Sequence, residues 1–152
     1  MIPFYAELLN RLRAHHDEIE KAIEVLPQEA LDWKPVPKMN SICVLAVHIA
    51  GAERFLIGDI VKGESSQRDR PAEFKAAGLD AATVMKRLRE SETYVESALE
   101  TLSLADLSEM RPDPRDGSQV PVSWAVLHAL EHTAMHNGQI QDLRQLYQDK
   151  MR

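Results

Sequence analysis

Apolar positions recur at helical spacing in four long segments of this chain. In the first, from about Pro3 to Leu26, the residues Tyr5, Leu8, Leu12, His15, Ile19, Ile23 and Leu26 share one face, with His16 toward its edge. Pro3 suits a first helical turn, and Pro27 stops the helix. Residues 27–40 hold three prolines and Trp33, which predicts a loop with one short turn. A second helix starts after Asn40 or Ser41, either of which can cap it, and ends near Gly63. A polar loop and an Ala-rich stretch of undefined form follow. Asp80 caps a third helix that runs to about Leu102, and Ser103 is placed to cap a short helical turn. The Pro-, Asp- and Gly-rich run RPDPRDGSQVP reads as a loop or a short extended excursion. The fourth helix begins near Pro121 to Ser123 and continues past Tyr147. Four long amphipathic helices with long loops predict an all-α four-helix bundle, and nothing divides residues 1–152 into more than one domain.

Composition narrows the function classes. A chain of 152 residues buries enough surface to fold without disulfides, and its single cysteine, Cys43, permits none within the chain. The net charge of −6 works against nonspecific nucleic-acid binding. The densest basic group, Arg68, Arg70 and Lys75, is interrupted by Asp69 and Glu73. The stretches free of Asp, Glu, Lys and Arg are too short to span a bilayer, and no signal pattern opens the chain. The expected location is cytoplasmic, with no nucleic-acid or membrane partner.

Three of the six histidines fall in one helix. His128, His132 and His136 follow one another at intervals of four in the fourth helix. Each step of four drifts by only about 40°, so all three lie on one side. Two imidazoles four residues apart can hold one transition metal. A third donor is available in His48, which shares a stripe with Leu45, Ala52 and Phe55 on the second helix. His132 and His136 share theirs with Ala125, Gln139, Leu143 and Leu146. Spacing alone fits two arrangements: a metal site, or histidines hydrogen-bonded in a core.

The segments WKPVPKMNSICVLAVHIAGAERFLIGDIVKGE and VPVSWAVLHALEHTAMHNGQI resemble those of the DinB/YfiT-like superfamily, regarded as metalloenzymes. The resemblance covers most of the chain. It implies a four-helix bundle, often dimeric, with a divalent metal held by three histidines, here His48, His132 and His136. It also implies a small-molecule substrate, because characterised members include transferases using a small thiol such as bacillithiol or mycothiol, and a mycothiol-dependent maleylpyruvate isomerase. One departure stands out: the residue after the last ligand is often arginine in the family and is Asn137 here.

Other polar groups are placed by geometry. Glu53 lies about 140° around the helix from His48 and cannot face the same ion, so it is expected to be solvated or packed between helices. Asp59 returns to the His48 stripe but lies about 16 Å along the axis. His128 is one turn too far for a single ion to take all three histidines easily, which makes it a pocket group. Gln139 follows His136 on the same face and can orient a ligand or water. His15 is a pocket candidate or a satisfied core histidine. Cys43 faces away from His48. A second apolar surface on the fourth helix, formed by Val126, Leu127 and Leu130 with Ala134 nearby, predicts a homodimer.

Imidazole ligands suit zinc or nickel among other metals. Such an ion activates water for hydrolysis, or holds a small thiol as a thiolate for transfer. The expected function is a metal-dependent enzyme resembling small-thiol S-transferases. The alternatives are a metal-dependent hydrolase and a non-catalytic metal-stabilised dimeric bundle.

Overall fold

The computed structural model describes Met1 to Arg152. Helix α1 (Pro3–Glu24) carries proline in its first turn and ends before Pro27. The loop beyond it holds one short helix, α2 (Gln28–Asp32). Helix α3 (Ile42–Glu53) is capped by Ser41, whose Oγ accepts the Val44 N–H at 3.2 Å, and it continues as a π-helix over Arg54–Lys62. Gly63 ends that segment in the left-handed conformation, φ 68°, which costs glycine little. The Ala-rich stretch contains α4 (Arg70–Glu73), capped by Asp69. Asp80 caps α5 (Ala81–Glu100) by accepting the Thr83 N–H at 2.7 Å. The 3₁₀ turn Ala105–Ser108 begins after Leu104 with no side-chain cap; Ser103 instead donates its N–H and Oγ–H to Asp106 Oδ2, each at 2.7 Å. The extended excursion is an antiparallel hairpin of β1 (Met110–Pro112) and β2 (Gln119–Pro121), with Arg111 opposite Val120. Helix α6 (Val122–Lys150) completes the chain.

Helices α1, α3, α5 and α6 form the bundle. Both α1 and α3 pack on α5 and on α6, so α1 and α3 sit across the diagonal. One half of the core joins Tyr5, Leu8 and Leu12 to Phe55, Ile60, Leu99 and Val122. The other joins Ile19 and Ile23 to Ile42, Leu45, Val84, Leu88 and Ile140. These sets fix directions: α1 and α6 run one way, α3 with its π extension and α5 the other. The link from α3 to α5 must therefore cross the whole bundle, and it carries α4 along the outside of α3.

Several expectations need correction. Helix α3 has no single buried stripe. Of Ile42–Glu53 only Gly51 is not buried, as expected for a helix apolar all round. The α-helical period also stops at Arg54. A π-turn adds a residue per turn, so Asp59 does not return to the His48 stripe. Its carboxylate instead accepts from the Ser66 N–H at 3.1 Å and Oγ–H at 2.9 Å. On α1 the two histidines exchange roles. Leu9 is buried as well, so the stripe runs Tyr5, Leu9, Leu12, His16, Ile19, Ile23; His16 is in the core and His15 is partly exposed. On α6, Val126 and Ala129 belong to the core, whereas Gln139 and Leu146 are exposed.

Candidate metal centre

Antiparallel packing of α3 against α6 brings His48 level with His132 and His136. The His132 Nε2 atom stands 3.0 Å from His48 Nε2 and 3.2 Å from His136 Nε2. One ligand atom from each of the three lies within 4.8 Å of the others. For comparison, donors around one tetrahedral zinc with bonds of roughly 2.0–2.1 Å stand about 3.3 Å apart. His48 and His136 are buried, and His132 is partly so.

The proton positions on the three rings decide whether the cluster fits a cation. His48 Nδ1 is 2.7 Å from Glu73 Oε2. An ionised carboxylate only accepts, so Nδ1 carries the proton and Nε2 presents a lone pair. Arg68 Nη2 also lies 3.3 Å from that Nδ1, but two N–H groups cannot share a bond, and the shorter carboxylate contact decides. His136 Nδ1 donates to Gln139 Oε1 at 2.7 Å, which leaves its Nε2 a lone pair too. His132 has one proton for two facing lone pairs, and its Nδ1 is buried without a partner. The set is short of positive charge at its centre, and three converging imidazole lone pairs fit a divalent ion.

The surroundings hold these tautomers. Glu73 is buried, which by itself raises a carboxyl pKa, yet the hydrogen bonds from His48 and Arg68 prevail and hold it below the usual range. Arg68 grips both Glu73 oxygens, from Nε at 2.5 Å and Nη2 at 2.8 Å. Gly51 makes this possible, because a Cβ there would lie 2.1 Å from Glu73 Oε1. Burial, reinforced by His136, His48, His128 and Arg68, pushes His132 down to about 3. Burial and His48 likewise hold His136 below its ordinary value, against the pull of Gln139. His132 and His136 are thus neutral near pH 7, as ligands must be.

The other candidates separate. Gln139 Oε1 is the partner of His136 Nδ1. The His128 ring stacks on Trp124 at 4.9 Å and lies 6.1 Å from the His132 ring, outside the cluster. His15 Nδ1 lies 3.1 Å from Asn137 Nδ2, which also bonds Glu18; Asn137 is thereby turned to α1. Glu53 is not solvated: it is 1 % exposed and accepts from His16 at 2.8 Å and from Ser91 and Thr133 at 2.7 Å each. Burial opposes charge on His16, but Glu53 and Glu92 outweigh it and raise the pKa. Glu73 and Arg68 escaped the sequence reading. They lie in a stretch without periodicity, and the one available signal was that a ligating histidine needs an acceptor for its second N–H.

The sequence pattern of the DinB superfamily matches residues 11–140. The chain belongs to the DinB superfamily. Solved structures share its fold. A conserved protein from Enterococcus faecalis is 17% identical with a TM-score of 0.81, covering 96% of this chain and 98% of that one. YfiT from Bacillus subtilis is 16% identical with a TM-score of 0.74, over 97% and 90% of the two chains. It has an unusual four-helix bundle topology, and a metal-dependent hydrolase activity has been inferred for it. The mycothiol-dependent maleylpyruvate isomerase is 16% identical with a TM-score of 0.66, over 91% of this chain and 61% of that one. No curated protein matches the chain in sequence. At these identities the likeness establishes the DinB fold. No helix is long and apolar enough to cross a membrane.

Proposed function

We propose that this DinB protein binds a divalent metal, zinc or nickel, through His48, His132 and His136 and transfers a small thiol to a small-molecule electrophile. The observation that carries the reading is the convergence of three imidazole Nε2 atoms with no fourth His, Cys, Asp or Glu in the cluster. Structural zinc sites take all four ligands from protein, whereas catalytic sites take three. A bound divalent ion would supply the Lewis acid that keeps a small thiol as the reactive thiolate. Glu73 and Gln139 hold the His48 and His136 rings in the required tautomers, and Arg68 holds Glu73.

Thiol transfer is favoured over hydrolysis by what the nearby carboxylates do. A metal ion alone can activate water, but protonating the leaving group of hydrolysis calls for a free acid or base beside it. Glu73 is committed to His48 and Arg68, and Glu53 to His16, Ser91 and Thr133. A thiol loses its proton more readily and needs no such base.

The test is a cobalt-substituted protein titrated with 2-mercaptoethanol. A new sulfur-to-cobalt charge-transfer band, absent from His132→Ala, is expected. An unchanged spectrum, with hydrolytic activity appearing instead, would overturn the transfer reading.

A cytoplasmic homodimer is part of the same proposal. Trp124, Leu127 and Met135 lie along one side of α6 and are 36%, 53% and 53% exposed, a stripe that a second copy would cover. Sedimentation should give about twice the chain mass; a strict monomer at high micromolar concentration would rule the dimer out.

A further inference from the structure

A cavity lies across Arg68 and Glu73 from the metal centre. It is a cleft of about 710 Å³ between α3, α4 and α5, within the range of small-molecule sites. None of the three histidines of the cluster lines it, and Arg68 and Glu73 form the wall between the two sites.

Its chemistry is uneven. Apolar groups, among them Val47, Ala50, Ala76 and Leu79, make much of the surface. Four cations line it: Arg54, Arg68, Lys75 and Arg87. Its three carboxylates are already engaged. Asp69 caps α4, Glu73 is held by Arg68 and His48, and Glu90 pairs with Lys86 at 3.7 Å. Arg54 is bonded to Asp59. Lys75 and Arg87 take part in none of the ion pairs around the cleft. In a chain of net charge −6, the cleft is a local inversion with two uncommitted cations beside an apolar wall.

We propose that this cleft is a binding site, separate from the metal centre, for a small organic anion with an apolar body, such as an aromatic or branched carboxylate. Lys75 and Arg87 take the carboxylate, and the Val47, Ala50, Ala76 and Leu79 surface takes the apolar part. The inference does not depend on metal binding.

The experiment is an amide-resolved NMR titration of the full chain with benzoate, and with benzamide as its uncharged counterpart. Saturable benzoate shifts are expected at Ala50, Ala76 and Leu79, with benzamide binding far more weakly. The variant Lys75→Ala/Arg87→Ala, altered only at exposed side chains, should bind benzoate about tenfold more weakly, the loss expected for charge-assisted hydrogen bonds. The absence of saturable shifts at these amides at millimolar benzoate would overturn the proposal. So would benzoate shifts centred on His132 and His136 that survive the double variant and vanish with EDTA, because that anion would be sitting on the metal.

Discussion

Glu73→Gln should weaken metal binding about tenfold while leaving the fold intact. The substitution keeps the shape of the side chain, and its amide oxygen can still accept from His48 Nδ1, now 2.7 Å from a charged oxygen. What is lost is charge. A hydrogen bond to an ionised group contributes about 1.5–3 kcal/mol and a neutral one about 0.5–1.5, so the difference is about 1–1.5 kcal/mol. At about 1.4 kcal/mol per decade that is near tenfold in affinity, the lower end of the roughly 10- to 100-fold expected when a ligating histidine loses its outer partner. The Arg68 guanidinium also loses the second anionic oxygen it grips at 2.5 and 2.8 Å, so the amide will be held less firmly. Glu73→Ala, which removes the acceptor altogether, should reach about 100-fold. Zinc affinity is measured by competition with a chromophoric chelator, on variants whose far-ultraviolet circular dichroism matches the parent. Affinities within twofold of the parent for both variants would refute the claim that the carboxylate fixes the His48 ligand.

Three further outcomes follow from the same structure. His132→Ala/His136→Ala should abolish stoichiometric metal in elemental analysis, and a folded double variant with unchanged metal content would disprove the site. Glu53→Ala strands His16, Ser91 and Thr133 in the core and should cost about 3–5 kcal/mol in urea unfolding; a loss below about 1 kcal/mol would mean that His16 carries no charge there. In metal-free protein, the depressed His132 value means that the unfolded chain binds the extra proton first. Its contribution to stability is therefore complete above pH 6.5 and lost as pH falls toward about 3. Thermal unfolding across that window should show the decline, weakened in His132→Leu.

The four long helices were legible because each is amphipathic or continuously apolar over many turns, and their caps, Ser41 and Asp80, are local signals. The histidine cluster was partly legible for the same reason. An interval of four places His132 and His136 together whatever the rest of the chain does, while His48 was the candidate third donor because it shares an apolar stripe of its helix, and the family likeness pointed to the same residue. Tertiary structure decided the rest. Whether His15 or His16 faces inward depends on which neighbours α1 packs between, and a phase difference of about 100° on a wide apolar face cannot be settled from α1 alone. Glu53 reads as either a solvated or a helix-packing carboxylate, and only His16, Ser91 and Thr133, arriving from three other helices, decide for the second. The π-turns from Arg54 break a periodicity that the residues themselves continue. They accompany Gly58, whose missing Cβ leaves room for the Arg54 guanidinium. Glu73 and Arg68 belong to a crossing segment with no period, and they reach His48 only because the bundle's topology carries that segment along α3 past Gly51. A sequence encodes local periodicity directly, but the partner of a buried polar group is set by long-range packing, and that packing is what assembles the site.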